Sequence, residues 1–267
     1  MPDAEPAARA TFPGVCLVTG AASGIGAATA RRLAADGASA LVLVDRNGEA
    51  LHALGDELEQ ASGIALHLCH QDILSEDGWD GIEHTVRHQW GGLDSVVANA
   101  GVSDAGSIAE LSLEAWRSVL SVNLDGTFLT LRTALRLLRD GGSVVVVSSA
   151  SAVKAQPGTA AYGASKAAGL QLARVAAREG AMRGIRVNAI LPGGVETPIW
   201  QSVPAFSDLV AETGSEQAAF DRMASFATPL GHYAKPDEIA GQIAFLLSPA
   251  ARSMTGSALV VDGGYML

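Results

Sequence analysis

Apolar residues fall into two rhythms along the chain. Short, nearly unbroken apolar runs occupy Val15–Thr19, Ala40–Asp45, Ile64–His70, Ser95–Asn99, Ser143–Ser149, Arg186–Leu191 and Ala258–Asp262. Between them lie longer stretches with helical spacing: Ile25–Asp36, Gly48–Gln60, Trp79–Trp90, Leu113–Arg139, Ala160–Met182 and Pro236–Leu247. Helices place apolar residues three or four apart, and strands bury them in short runs. The runs do not alternate apolar with polar, so both faces of the sheet are expected to be covered. Strands alternating with helices predict parallel pairing through right-handed crossovers. The pattern therefore predicts an α/β fold: a doubly wound, parallel, seven-stranded sheet with helices on both faces, in a single domain. The "VVVV" of Val144–Val147 marks its central strand.

Two segments stand outside this rhythm. Residues 192–235 hold four of the ten prolines (Pro192, Pro198, Pro204 and Pro229) among scattered apolar positions. A segment of that length in a compact domain predicts a substrate-binding loop or lid; the alternative is a surface excursion with a short helix of its own. The opening "MPDAEPAARATFPG" lacks the basic start and apolar core of a signal peptide. It predicts a flexible tail over residues 1–12, with the folded domain at 13–267.

Composition narrows the partners. With 48% hydrophobic and 17% charged residues the chain can bury a substantial core. A net charge of −10 argues against nucleic acid, whose phosphates need a basic face. No apolar run reaches the length of a membrane span. Cys16 and Cys69 each sit in an apolar run, which predicts buried free thiols in a reducing compartment. A soluble cytoplasmic protein with no membrane partner is the expectation.

"VCLVTGAASGIGAATARRLAADG" reads as strand, glycine turn and helix. The start of a helix presents free N–H groups and a positive dipole end, a ready anion site. Gly20 allows a tight turn, Gly24 lets a pyrophosphate approach the backbone, and Gly26 lets the helix pack close to the strand. Asp45 ends the second strand, 19 residues after Gly26. A carboxylate there accepts hydrogen bonds from the adenosine ribose and repels a 2′-phosphate, which favours NAD over NADP. Arg46, its neighbour, is the residue type that holds a 2′-phosphate.

Tyr162 and Lys166 are four apart in a helical pattern and so share a face. An ammonium beside a phenol favours the phenolate and lowers its pKa, which suits Tyr162 to acid/base work. Ser149 ends the "VVVVSS" strand, at the sheet edge where ligands bind in open α/β folds, and would hold the substrate oxygen. Ser148 should face the other way. His84 with His88, and His67 and His70 beside Cys69, lack a full ligand set, so no metal site is expected. Trp200 follows the region after the sixth strand and could line the substrate pocket; Val203, Phe206, Met223 and Phe226 either join it or pack a lid helix.

These pieces, together with "ANAG" (Ala98–Gly101), "VNLDGTF" (Val122–Phe128), "YGASK" (Tyr162–Lys166), "RVNAILPGGVETP" (Arg186–Pro198) and "VVDGGY" (Val260–Tyr265), resemble the classical short-chain dehydrogenases/reductases in order and spacing. The resemblance implies a Rossmann-type domain and an NAD-linked alcohol dehydrogenase or carbonyl reductase acting through Asn123, Ser149, Tyr162 and Lys166. It implies that Asn123 interrupts its helix and holds a water linking the lysine to solvent. It implies cofactor contacts from the turn (Gly20, Ser23, Gly24, Ile25, Gly26), from Asp45, from Asp72 and Ile73 at the adenine, and from Asn99, Ala100 and Gly101. Tyr162 and Lys166 would meet the nicotinamide end, with Pro192, Gly193, Val195 and Thr197 wrapping it. The substrate, an alcohol or ketone, would meet Ser149, Ser151, Gln156, Tyr162, Gly194 and Trp200, with Glu196 and His232 as further polar handles; a glycine at 194 would open the pocket slightly. Association into a homotetramer through the two long helices and the last strand is implied as well, with Tyr265–Leu267 reaching a neighbouring subunit. An NADP-dependent 3-oxoacyl reductase, a dinucleotide sensor without turnover and a sugar-nucleotide epimerase are the competing readings.

Overall fold

The computed structural model describes residues 14–267, so the tail expected over 1–12 lies outside the described residues. Seven parallel strands form one sheet in the order β3-β2-β1-β4-β5-β6-β7. They are β1 (Val15–Thr19), β2 (Ala40–Asp45), β3 (Ala65–His70), β4 (Leu93–Ala98), β5 (Leu138–Val147), β6 (Arg186–Pro192) and β7 (Ala258–Val261). The order reverses between β1 and β4, where neighbouring crossovers leave in opposite directions and open a crevice at the carboxyl ends.

Helices α1 (Gly24–Ala35), α2 (Gly48–Ser62) and α9 (Pro236–Leu247) cover one face, packing Leu33, Leu51, Leu54 and Ile243 onto Val18, Leu41 and Leu43. The other face carries α3 (Glu76–Trp90), α5 (Gly126–Leu137) and α6 (Ala160–Gly180), which bury Trp79, Ile82, Leu131 and Leu170 against Val42, Val96 and Val144. Every residue of β1 is buried, as a strand between two helical layers requires. Local sequence sets the helix ends: the side chains of Asn47, Ser75 and Ser112 each accept from a backbone N–H in the first turn. Cys16 and Cys69 are buried and free. Among the described residues no helix is long and apolar enough to cross a membrane.

The structure differs from the periodicity in two places. The stretch 113–139 is not one helix: α4 (Leu113–Leu120) passes through a widened π turn at Ser121–Asp125 before α5 begins. The cause is visible at Asn123, whose side chain bonds away from its own helix, to the backbone of Val102 and to Ser165. A single inserted turn of this kind leaves the apolar spacing almost unchanged, so periodicity does not register it.

Residues 192–235 carry two helices rather than one, α7 (Pro204–Thr213) and α8 (Glu216–Ala227). Two of the four prolines that make the segment look irregular are helix starters, while Pro192 ends β6 and Pro229 lies in the turn after α8. Pro198 and Pro204 occupy first-turn positions, where no N–H is needed. The two helices bury a small core of their own, with Phe206 and Phe220 packed on Tyr233 and Trp200.

Candidate active site

The glycine turn joins β1 to α1 at the switch point. Gly20 and Gly24 have φ of +63° and +51°, a left-handed backbone that glycine adopts without strain. Asn99, just past β4, ties the turn down: its Nδ2 donates to the carbonyls of Thr19 (3.0 Å) and Gly20 (3.1 Å). Thr19 Oγ1 in return accepts from the backbone N–H groups of Asn99 and Ala100. Thr197 leans over the same turn, since a Cβ on Gly24 would lie 3.2 Å from its Cγ2.

A cavity of about 450 Å³ opens here. It is lined by Gly20, Ser23, Gly24, Ile25, Asn99 and Gly101. Pro192, Gly193, Gly194, Val195, Thr197 and Trp200 line it too, as do Ser149, Ser151, Gln156, Tyr162 and Lys166. Asp45, Asp72 and Ile73 lie outside it, at or just beyond the ends of β2 and β3. Asp45 is fixed at both oxygens, by the N–H of Ala22 (2.9 Å) and of Asn47 (2.9 Å), which holds its charge against the glycine turn. The Ile73 carbonyl is taken by the Trp79 indole N–H at 2.7 Å. The exposed Asp72 carboxylate accepts from the N–H of Leu74.

Ser149 is buried and caps the short turn after β5, its Oγ accepting from the N–H of Ser151 at 3.1 Å. Ser148 does face the other way, donating to the Lys166 carbonyl at 2.9 Å. Lys166 Nζ donates to the Val147 carbonyl at 3.0 Å and lies 5.6 Å from the centre of the Tyr162 ring. Gly101 fits against this group, because a Cβ there would stand 3.2 Å from both Lys166 Nζ and Asn123 Oδ1. Asn123 clamps the surroundings: its Oδ1 accepts from the N–H of Val102 (2.8 Å), and its Nδ2 donates to the Val102 carbonyl (2.9 Å) and Ser165 Oγ (3.0 Å).

Burial governs the charges. It pushes the Tyr162 phenol above its ordinary value, opposed by the hydrogen bond with Ser149. This corrects the expected lowering by the neighbouring ammonium: in the protein alone the loss of water around the ring sets the direction. Burial pushes Lys166 down to about 8. Between pH 8 and its ordinary value of 10.5 the unfolded chain still protonates Lys166 and the folded chain does not, so this residue makes stability rise with pH across that window. Lys166→Met is expected to be more stable than the wild type below pH 8, by about 3 kcal/mol if the whole shift is realised. That advantage should vanish by pH 10.5, as urea melts across the range would show; an advantage independent of pH would refute the buried charge.

One part of the cavity lining is aromatic. Trp200 donates its indole N–H to the Val195 carbonyl (2.9 Å) and stacks on Tyr233, with centroids 5.8 Å apart and planes 13° apart. Gly194 does not open the pocket: a Cβ there would lie 2.3 Å from the Tyr233 ring, which fills the space. Glu196 and His232 are not in the wall; Glu196 pairs with Gln217, and a ring nitrogen of His232 with the Leu230 carbonyl. Val203 lines the cavity, Phe206 and Met223 pack the small core of α7 and α8, and Phe226 faces solvent. Tyr265 lines this chain's own cavity. Sequence reasoning missed Tyr233 and the pocket role of Tyr265. One signal was available: the chain has three tyrosines, and all three meet here. Among the described residues no three His, Cys, Asp or Glu side chains cluster to hold a metal.

The family model described as enoyl-(acyl carrier protein) reductase matches residues 20–266. The cis-4-hydroxycyclohexanecarboxylate dehydrogenase of Sinomonas cyclohexanicum is 39% identical over 254 residues, covering 94% of this chain and 96% of that one. The 3-oxoacyl-[acyl-carrier-protein] reductase of Thermotoga maritima is 34% identical over 259 residues, covering 95% and 98%. In structure, L-sorbose reductase from Gluconobacter frateurii, complexed with NADPH and L-sorbose, superposes with a TM-score of 0.88 at 30% identity, covering 97% of this chain and 98% of that one.

Proposed function

The chain belongs to the classical short-chain dehydrogenase/reductase family, and on that premise we propose that it is an NAD-dependent oxidoreductase interconverting a secondary alcohol and its ketone. The observation that carries this reading is the convergence of Ser149, Tyr162 and Lys166 with the glycine turn on one cavity at the carboxyl ends of the strands. The residues fit a dinucleotide. A turn that excludes side chains stands at the start of α1, and a fixed carboxylate follows at the end of β2. When bound, the nicotinamide supplies the hydride acceptor or donor.

The chain's own residues supply the rest. Ser149 holds the substrate oxygen. Tyr162 takes the hydroxyl proton as a phenolate in oxidation and returns it in reduction. Lys166, charged at neutral pH, stabilises that phenolate, and it also binds the nicotinamide ribose. Asn123 acts by position, keeping the segment after β4 and helix α6 in register so that Gly101 stays against Lys166 Nζ. Residues 192–235, within the catalytic domain at 13–267, close over the substrate as a lid. Phe128, Val175 and the edge strand residue Val260 present exposed apolar surface, which supports a homotetramer.

The test is to follow nicotinamide absorbance with NAD and, separately, NADP against panels of ring alcohols, sugars and acyclic secondary alcohols. Turnover with NAD on one class supports the reading; measurable NADH binding without turnover on any panel would favour a sensor. The cofactor preference has its own check. Asp45→Ala is expected to lower the NAD-over-NADP ratio of kcat/KM at least tenfold, because a fixed charge that repels a 2′-phosphate is lost. An unchanged ratio would remove Asp45 as the selector.

A further inference from the structure

The end of the chain, residues 262–267, meets three separate segments that contribute to the cavity lining. The first is the stretch after β6. A Cβ on the lining residue Gly193 would lie 2.9 Å from the Cα of Asp262, and the Gly193 N–H donates to the Val261 carbonyl at 3.0 Å. The second is the turn after α8, between the lining residues Ala227 and Tyr233. There the Leu230 N–H donates to the Gly263 carbonyl at 3.2 Å, and a Cβ on Gly264 would stand 2.9 Å from Pro229 Cγ. The third is the loop after β5, and a single side chain reaches across from it. Lys154 donates through Nζ to the Tyr265 carbonyl, and the same Nζ stands 4.0 Å from the centre of the Tyr265 ring.

The C-terminal turn makes its own shape. Asp262 accepts from the backbone N–H groups of Gly264 (2.9 Å) and Met266 (2.9 Å), and its carbonyl from the N–H of Tyr265 (3.0 Å). These bonds are internal and do not attach the turn to the loop after β5. Among the described residues the Lys154 bond is the one hydrogen bond between residues 149–159 and 262–267. No carboxylate among them pairs with Lys154. The half-buried ammonium is thus committed to a carbonyl and an aromatic face, both of which attract a cation. At its other end Lys154 hangs on the turn that starts at Ser149. Its N–H donates to the Ala150 carbonyl at 2.9 Å, and the Ser149 carbonyl accepts from the N–H of Ala152 at 2.9 Å. Lys154 is not itself part of the cavity lining, whereas Ser149, Ser151 and Tyr265 are.

We propose that Lys154 is a positioning residue: it holds the Tyr265 ring and the C-terminal turn against the loop that begins at Ser149, and so fixes that part of the substrate cavity. The proposal rests on the dehydrogenase reading for what the cavity does. The tie itself is measured without turnover.

The experiment compares the wild type with Lys154→Met, which keeps a long side chain and removes the charge, and with Lys154→Arg, which restores a cation that can donate to the carbonyl and cover the ring. Amide hydrogen exchange is followed in the protein alone. In Lys154→Met the Tyr265 and Met266 amides are expected to exchange at least about tenfold faster, the equivalent of one hydrogen bond to a charged group. Amides of β1 should keep their rates, and Lys154→Arg should return the C-terminal amides to the wild-type range. The kinetic arm uses whichever alcohol of the panel above turns over. There Lys154→Met should raise KM at least about tenfold and leave kcat within about threefold, the pattern of binding lost equally in ground and transition states. NADH affinity should not change. Unchanged exchange at Tyr265 and Met266 would overturn the proposal, and so would equal acceleration in β1, which is general destabilisation. Equal defects in Lys154→Arg and Lys154→Met would overturn it as well, as would a loosened C-terminal turn with KM unaltered. If the wild type turns over no member of the panel, the dehydrogenase reading fails, and the exchange rates alone decide whether Lys154 holds the turn.

Discussion

Tyr162→Phe is expected to reduce kcat roughly a hundredfold to ten-thousandfold, the usual worth of a positioned acid/base. The substitution keeps the ring, whose centre lies 5.6 Å from Lys166 Nζ, and removes only the oxygen that the proposed mechanism uses to exchange the proton. Folding and NADH affinity should therefore stay largely unchanged, which separates a chemical loss from a structural one. The pH profile gives a second signature. Burial holds the free protein's phenol above its ordinary value, so at neutral pH Tyr162 is protonated until charges around it favour the phenolate. Lys166 is the cation within the chain that does so, and its own value near 8 keeps it mostly charged at pH 7. Oxidation in the wild type should therefore accelerate as pH rises toward the phenol's value in the complex, since the phenolate is the reactive form. Residual oxidation by Tyr162→Phe should lack that rise. Turnover retained within a few fold of the wild type would overturn the acid/base assignment outright.

The sequence disclosed the parts of this site that follow from local pattern. Seven strand runs and the alternating helices announced the parallel sheet because burial on both faces leaves an unmistakable apolar signature. The same pattern put Ser149 at a strand end and Tyr162 and Lys166 on one helix face. What stayed hidden depends on contacts between distant segments. The resemblance implied an interruption at Asn123, but the partners that accompany its π turn were hidden: the side chain bonds Val102, 21 positions earlier in the chain, and Ser165, 42 positions later. Gly194 reads locally as extra space, and only the fold brings Tyr233 into it. Tyr265 reads as an apolar end until Asp262 and Lys154 are seen folding it inward. The direction of the Tyr162 shift was misjudged for a related reason: the neighbouring charge is visible in the sequence, and the depth of burial is not.

Gly26→Ala tests the other half of the site, where the effect is steric. A Cβ at position 26 would lie 1.9 Å from the Gly20 carbonyl oxygen and 2.7 Å from Asn99 Nδ2. Neither neighbour can give way cheaply. The carbonyl is main chain in a left-handed turn, and it accepts from the same Asn99 amide, which also holds Thr19. Moving it opens the turn, breaks the link from β1 to β4 and displaces the N–H groups at the start of α1. NADH affinity is expected to fall at least a hundredfold. Destabilisation should reach about 3 kcal/mol, the upper part of the range for overpacking. At roughly 2–4 °C per kcal/mol for a domain of this size, Tm should drop by about 6–12 °C. The matched control is Gly81→Ala in α3, where an added Cβ meets nothing within 4 Å. There the same methyl group should raise stability slightly, by up to about 1 kcal/mol from helix propensity, and leave NADH binding untouched. Opposite outcomes for the same substitution would place the effect in the geometry of the turn rather than in the loss of a glycine. Equal melting temperatures and unchanged affinity for Gly26→Ala would mean that the turn can widen freely, and its role as a fixed cradle would have to be abandoned.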